Sequence, residues 1–137
     1  MFPSMIKAIE KKHLPQLIEI WNAHFEILTS SNIEHSSHSI NKWFESRKEG
    51  NFEYLGYFEK KELLGFTIIE NKPNNIWLKF IAVEETEKRK GIGSELVNHV
   101  VSSYEDKTIK TEVLEKNRSA LEFFGKQGFQ IEEYDEK

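Results

Sequence analysis

The residues best suited to chemistry lie in one short segment, where a stretch typical of a strand passes into one typical of a helix through two glycines. Residues 88–94 read Lys-Arg-Lys-Gly-Ile-Gly-Ser. The first N–H groups of a helix have no partner within it, and the helix dipole places partial positive charge there. Glycines let an anion approach the backbone, and Lys88, Arg89 and Lys90 add positive charge. The segment therefore predicts a cradle for a pyrophosphate.

Other nucleotide-binding motifs do not fit this segment. Gly91-Ile92-Gly93 has no third glycine at Leu96, as a dinucleotide-binding turn requires, and the chain contains no Gly-Lys-Ser or Gly-Lys-Thr of a P-loop. A simpler interpretation is that the glycines shape a tight turn beside a solvated run of charges. On this segment alone, that alternative stays open.

The spacing around the glycines resembles the central motif of the GNAT superfamily of N-acetyltransferases. Val83 precedes Gly91-Ile92-Gly93 by eight residues, and the family pattern is Gln/Arg-x-x-Gly-x-Gly/Ala. The first position here is Lys88, which keeps the positive charge of arginine but lacks its planar fork.

A second segment resembles another GNAT motif, Val-x-x-x-Asn-x-x-Ala-x-x-Phe-Tyr-x-x-x-Gly-Phe. The matching positions are Val113, Asn117, Ala120, Phe123, Gly128 and Phe129. Two motifs at the right separation are more specific than either alone, and the resemblance covers nearly the whole chain. It implies a GNAT-like acyl-CoA N-acyltransferase fold and an acetyl-CoA-dependent N-acetyltransferase activity.

The resemblance also implies where acetyl-CoA, the acyl-donor cosubstrate, binds. In the family a bulge separates the fourth strand from the fifth, and the pantetheine arm lies in the opening like an added strand. The fourth strand would bind the arm, the glycine turn the pyrophosphate, and the last helix would line the other side. The residues implied are Ile81, Ala82, Val83, Lys88, Arg89, Lys90, Gly91, Ile92, Gly93, Ser94, Asn117 and Phe124.

The reaction implied by the resemblance is direct attack of an amine on the thioester. The chain has no cysteine, which excludes an acyl-cysteine intermediate. Phe124 occupies the position where the family often has a tyrosine that protonates the leaving thiolate, so another donor or water must serve. Glu70, Glu112 and His24 are candidates for the base, but each residue type at such a position is more often solvated or half-buried. The catalytic residues therefore stay unassigned.

Hydrophobic periodicity predicts the elements that position these residues. Strands are predicted at residues 5–9, 52–58, 63–69, 76–83, 108–114 and 129–134. Helices are predicted at residues 14–28, 39–50, 92–101 and 117–127, with Ser39 and Asn117 as N-caps. This order predicts an α/β fold with one mixed sheet of about six strands, the fourth and fifth parallel, and four helices distributed over both faces.

Length and composition restrict the class of protein. A chain of 137 residues with 38% hydrophobic content fits a single domain over residues 1–137. No run approaches the roughly 20 apolar residues of a membrane span, and the N-terminus lacks the pattern of a signal peptide, so we expect a cytoplasmic protein that does not bind membranes. His35 and His38 lack a third ligand, so no metal site is predicted.

The expected partner is an amine-bearing acceptor, either a small molecule or a protein. The net charge of -4 suits an amine and argues against nucleic acid. The resemblance implies a seventh strand after the one at Phe129, but Asp135-Glu136-Lys137 is too short to form it. Either the sheet ends early or a partner chain completes its edge, as in a homodimer. Two alternatives to an enzyme stay open: a non-catalytic acyl-CoA-binding module of the same fold, favoured by Phe124, and a structural domain without a ligand.

Overall fold

The computed structural model describes residues 5–23, 37–87 and 90–132. Within these ranges the chain forms a five-stranded sheet with four helices. The strands are β1 (Met5–Ala8), β2 (Phe52–Glu59), β3 (Glu62–Asn71), β4 (Asn75–Val83) and β5 (Thr108–Thr111). The helices are α1 (Leu14–Ala23), α2 (Ser37–Glu45), α3 (Ile92–Ser103) and α4 (Arg118–Lys126), and short 3-10 helices lie at Lys11–His13 and Glu85–Glu87.

The strands lie in the order β1-β2-β3-β4-β5, so neighbours in sequence are neighbours in the sheet. The first four are antiparallel, whereas β4 and β5 are parallel and joined through α3. Lys60 and Lys61 both have positive φ angles, 50° and 71°, as the two central residues of a type I′ hairpin require. The predicted hairpins and the predicted parallel pair are therefore confirmed.

Two hydrophobic cores lie on opposite faces of the sheet. The first packs α1 and α2 against the strands through residues such as Trp21 and Phe44. The second contains residues of α3 and α4, including Leu96 and Ala120. Adjacent residues of β3 enter different cores, Ile68 the first and Ile69 the second, because successive side chains of a strand point to opposite faces. The mixed α/β fold with helices on both faces is confirmed.

β4 contains a bulge at Lys79. On β3, Ile68 pairs with Phe80 while Ile69 pairs with Leu78, so Lys79 is the extra residue. The bulge reverses the alternation of side chains, and Leu78 and Ile81, three residues apart, both enter the second core. The bulge that the resemblance implied for the fourth strand is confirmed.

The end of the sheet differs from the prediction. β5 ends at Thr111 and does not continue to residue 114, because its partner β4 turns away at the bulge. Residues 129–132, predicted to begin a sixth strand, form no strand, and Phe129 packs into the second core instead. The sheet of the described residues thus has five strands, and residues 133–134 of the predicted sixth lie outside them.

Helix boundaries also differ. α2 begins at Ser37 instead of Ser39 and ends at Glu45, five residues before the predicted end. At this end the Arg47 N–H bonds to the carbonyl of Phe44, three residues back instead of four, at 3.2 Å. The Arg47 guanidinium donates to the same carbonyl at 2.7 Å and lies 3.7 Å above the Phe44 ring. α1 is described to Ala23, so the remainder of the predicted first helix lies outside the described residues.

Candidate functional site

β4 and β5 pair over four residues and then separate. Their pairs run from Asn75 with Thr108 to Leu78 with Thr111. The Thr111 hydroxyl donates to the Leu78 carbonyl at 2.9 Å, where the pairing ends. Among the described strands, residues 80–83 of β4 pair with β3 alone, and Lys79 is the unpaired residue of the bulge. We call the space between residues 79–83 and the chain after β5 the β4–β5 opening.

The backbone of Ile81 and Val83 faces the β4–β5 opening. The Glu84 N–H donates to the Leu64 carbonyl at 2.8 Å. This bond shows which residues of β4 direct their backbone groups toward β3. Along an antiparallel pair, residues alternate between directing their N–H and C=O groups toward the partner and away from it. Ala82 therefore bonds to β3, whereas Ile81 and Val83 direct these groups toward the opening. Of the three β4 residues expected to contact a ligand, these two have the required orientation.

The N-terminus of α3 follows β4 and has no side-chain cap. Gly91 is the N-cap residue with a φ of 83°, and a Cβ built on it meets no atom within 4 Å. The first bond within the helix joins the Glu95 N–H to the Gly91 carbonyl at 3.0 Å. The N–H groups of Ile92, Gly93 and Ser94 therefore have no partner within the helix. Among the described residues, no atom beyond the chain neighbours of Gly91 lies within 4 Å of the position a Cβ would take there.

The charges around this turn are partly balanced. Lys90 lies 3.1 Å from the Glu87 carboxylate, and the Lys90 side chain is 61% exposed. Exposed ion pairs contribute little to stability, so Lys90 can exchange this partner for a bound anion at small cost. Lys88 and Arg89 lie outside the described residues.

Two side chains of the α4 segment hold the first turn of α3. A Cβ built on Gly93 would lie 3.1 Å from Cε1 of Phe123, so the helices approach too closely for a side chain at this glycine without displacement of the ring. Nε2 of Gln127 donates to Oγ of Ser94 at 2.7 Å. Gln127 is not among the predicted site residues, because no local pattern connects residues so far apart in the chain.

One known protein family matches most of this chain, including both motif segments. The model of the Acetyltransferase (GNAT) family matches residues 14–129, which include the β4–β5 opening, the glycine turn and α4. The chain belongs to the GNAT acetyltransferase family. No curated protein matches the sequence significantly.

Solved GNAT structures and other proteins share the fold at low sequence identity. A transcriptional regulator from Bacillus halodurans C-125 superimposes with a TM-score of 0.82 at 15% identity, over 98% of each chain. The PaiA N-acetyltransferase from Thermoplasma acidophilum, in complex with coenzyme A, superimposes with a TM-score of 0.75 at 20% sequence identity. The match covers 98% of this chain and 94% of that protein. The ribosomal-protein-S18-alanine N-acetyltransferase from Escherichia coli superimposes with a TM-score of 0.76 at 21% sequence identity. The match covers 93% of this chain and 78% of that protein.

The residues of the second GNAT motif build α4 and its contacts. Asn117 caps the helix as predicted, because its Oδ1 accepts from the Ala120 N–H at 3.1 Å. Phe124 is only 3% exposed, and its ring packs edge-on against Phe123 and Phe129 at centroid distances of 5.0 and 5.2 Å. Phe124 thus lies in the second core, and its ring is not an accessible wall of the opening.

The three candidate bases have different surroundings. Glu70 lies 3.7 Å from Lys79, the bulged residue of β4, and is engaged in that ion pair. Glu112 is exposed and directly follows Thr111, the last paired residue of β5, so it lies beside the β4–β5 opening. His24 lies outside the described residues. Of the two described candidates, Glu112 thus adjoins the end of the β4–β5 pairing, whereas Glu70 is held in an ion pair.

The pKa shifts fall on groups outside the opening. Burial raises the pKa of Tyr54 to about 12. Burial, followed by a hydrogen bond to Glu53, raises the pKa of Tyr104 to about 12. Burial lowers the pKa of His13, whose Nδ1 accepts from the Glu10 N–H at 2.9 Å. In all three groups, burial favours the neutral form.

Neither a metal-ligand cluster nor a membrane-spanning helix is present within the part of the chain that the structure describes. No group of three or more His, Cys, Asp or Glu side chains there is arranged to hold a metal ion. None of the helices in these ranges is both long enough and apolar enough to cross a bilayer.

Proposed function

We propose that this GNAT protein transfers the acetyl group of acetyl-CoA to the amine of an acceptor by direct attack in a ternary complex. The observation that carries the proposal is the β4–β5 opening, whose backbone edge at Ile81 and Val83 leads to an uncapped helix N-terminus at Gly91. An extended pantetheine arm joined to a diphosphate matches these two features in this order.

The diphosphate would bind at the first turn of α3. The N–H groups of Ile92, Gly93 and Ser94 would donate to its oxygens, and the absence of a Cβ at Gly91 leaves room for close approach. The helix end would contribute about 0.3 to 1 kcal/mol through its dipole. Lys88, Arg89 and Lys90 would add positive charge around the bound group.

The pantetheine arm would lie along β4 as an added strand. Ile81 and Val83 would supply its backbone hydrogen bonds, while Ala82 stays bonded to β3. An N–H of this edge would polarise the thioester carbonyl and stabilise the oxyanion that forms on attack; one such donor is worth about 3 kcal/mol in other enzymes. Asn117 would act indirectly, by fixing the start of α4 across the opening.

The chemistry would take place where the strands separate. The amine nitrogen attacks the carbonyl carbon, the new C–N bond forms, and the C–S bond breaks to release the coenzyme thiolate. We assign Glu112 as the group that accepts the amine proton, directly or through one water, because it directly follows the paired part of β5 and is exposed. Water protonates the thiolate, because Phe124 cannot donate a proton.

A second candidate function is a non-catalytic acyl-CoA-binding module. The observation that favours it is Phe124, which lacks a hydroxyl and is buried among aromatic rings. Such a module would bind acyl-CoA at the same cradle and the same β4 edge but would not transfer the acyl group.

Binding and turnover assays separate these functions. Acetyl-CoA should bind by calorimetry and raise the melting temperature, since a ligand of the native state stabilises it by mass action. Release of coenzyme thiol is then followed over a panel of small-molecule and peptide amines. Turnover supports the transferase, saturable binding without turnover across the panel supports the module, and absence of binding contradicts both.

A further inference from the structure

Gln127 fixes the hydroxyl of Ser94 through a contact between the end of α4 and the start of α3. Its Nε2 donates to Ser94 Oγ at 2.7 Å, and both residues are partly buried. Gln127 is the C-cap residue of α4, and its own N–H bonds to the carbonyls of Phe123 and Phe124 at 3.2 and 3.1 Å. The backbone of Gln127 is therefore fixed, and this positions its side-chain amide beside Ser94.

The direction of this hydrogen bond determines what the hydroxyl can do. A serine hydroxyl has one donor hydrogen and two acceptor lone pairs. Because Gln127 donates into one lone pair, the hydroxyl hydrogen stays free to point toward another acceptor. A hydroxyl that accepts one hydrogen bond is also polarised into a stronger donor. Within residues 5–23, 37–87 and 90–132, no acceptor for this hydrogen is found.

We propose that Gln127 is a positioning residue that directs the Ser94 hydroxyl toward the diphosphate of the bound acyl-CoA. The inference rests on the proposed function, because it requires the diphosphate at the first turn of α3. Phe123 acts beside it by packing on Gly93. Two consecutive residues of the cradle are thereby fixed from α4, so the C-terminal part of the GNAT domain sets the geometry of the phosphate site.

A purely structural role for Gln127 makes a different prediction. If its amide only joins α3 to α4, its loss lowers stability and weakens every ligand of the opening alike. If it orients Ser94, the loss affects only ligands that carry the diphosphate. S-acetylpantetheine, which has the thioester and the arm but no diphosphate, separates the two roles.

The experiment uses the full chain, four single variants and one double variant that combines Ser94→Ala with Gln127→Leu. Gln127→Leu removes the donor, and Gln127→Glu keeps the shape but replaces the donor by an acceptor that captures the Ser94 hydrogen. Ser94→Ala removes the hydroxyl itself. Gln130→Leu is the matched control, because Gln130 is an exposed glutamine just beyond the same helix. Acetyl-CoA binding is measured by calorimetry, S-acetylpantetheine binding by NMR titration, and folding by thermal melting.

We expect Gln127→Leu to raise the Kd for acetyl-CoA about three- to tenfold and Gln127→Glu to raise it further, because a hydrogen bond to a charged group is the interaction lost. Adding Gln127→Leu to Ser94→Ala should cost little more than Ser94→Ala alone, since both act through one hydroxyl. Binding of S-acetylpantetheine should not change in any variant, and Gln130→Leu should bind both ligands normally.

Two results would overturn the inference while leaving the function intact: unchanged acetyl-CoA affinity in a folded Gln127→Glu variant, or an equal loss of affinity for both ligands. Failure of the unmodified protein to bind acetyl-CoA would instead refute the proposed function, and this inference with it.

Discussion

Gly93 lies against the ring of Phe123, because a Cβ built on this glycine would be 3.1 Å from Cε1 and 3.2 Å from Cζ. Gly91, two residues earlier, has open space around it and a φ of 83°. The two glycines of the turn thus have different roles. Gly93 permits the close packing of α3 on α4, whereas Gly91 provides the backbone conformation that starts the helix and leaves it accessible.

The first prediction concerns Gly93. Gly93→Val should lower the free energy of unfolding by about 1 to 3 kcal/mol, because the new side chain overpacks the contact with Phe123. Urea unfolding measures the loss. Combining it with Phe123→Ala should recover part of the loss, since the smaller residue makes room. A double variant as unstable as the sum of the two singles would show that Phe123 is not the obstacle.

The second prediction uses Gly91 with Gly128 as control. Both have positive φ, 83° and 94°, and neither has an atom within 4 Å of a built Cβ. Replacement by alanine should therefore destabilise the fold about equally, by about 1 to 2 kcal/mol. Only Gly91→Ala should also weaken acetyl-CoA binding by calorimetry, by about tenfold through the added methyl group at the anion site. Equal affinities in the two variants would place the diphosphate elsewhere.

Much of the fold follows from local patterns in the sequence. The hairpins, the N-cap at Asn117 and the parallel β4–β5 pair were predicted because periodicity and turn residues act over a few neighbours. A sixth strand is predicted from residues 129–134, but residues 129–132 form no strand, and the Phe129 ring packs against Phe124 at a centroid distance of 5.2 Å. Nothing local in Gly-Phe-Gln-Ile distinguishes these outcomes.

The site can be predicted from the sequence only in part, because several of its features depend on contacts between distant segments. The glycine turn predicts an anion cradle from the sequence alone. The orientation of Ile81 and Val83 depends instead on the register between β4 and β3, which no residue type encodes. The bulge at Lys79 has no glycine or proline to mark it. Gln127 and Ser94 meet only because α3 and α4 pack on one face of the sheet.

The third prediction tests Glu112 as the base. Once an acceptor amine is found, Glu112→Gln should lower kcat about 10²-fold with little change in the KM for acetyl-CoA, because it removes proton transfer and no coenzyme contact. Glu70→Gln is the control and should retain activity, since Glu70 is paired with Lys79. Full activity of Glu112→Gln would leave water as the base.

The fourth prediction concerns Phe124→Tyr. A hydroxyl added to a ring that is 3% exposed must be buried, which should lower stability by about 1 to 2 kcal/mol if it finds no partner. Turnover should be kept, because the ring lies in the second core and the added hydroxyl removes no contact with acyl-CoA. Thermal melting and the thiol-release rate are measured together. A large loss of turnover in a folded variant would show that Phe124 does contact the reacting groups.

The last prediction concerns stability at alkaline pH. The Tyr104 hydroxyl donates to Oε2 of Glu53, and burial and this bond raise the pKa of Tyr104 to about 12. An unfolded tyrosine titrates near pH 10, so the fold favours the neutral phenol. The stabilisation is complete below pH 10 and is lost as the pH rises from about 10 to 12, because the unfolded chain releases its proton first.

Tyr104→Phe should therefore flatten this alkaline decline. Urea unfolding at a series of pH values up to 11.5 should show the free energy of the unmodified protein falling more steeply than that of the variant. Near pH 8 the variant should be less stable by about 1 to 2 kcal/mol, since Glu53 loses a hydrogen bond. Tyr54, whose pKa is also raised to about 12, remains in both proteins and cancels in the comparison, as do the lysines. Parallel declines would mean that Tyr104 does not govern the loss.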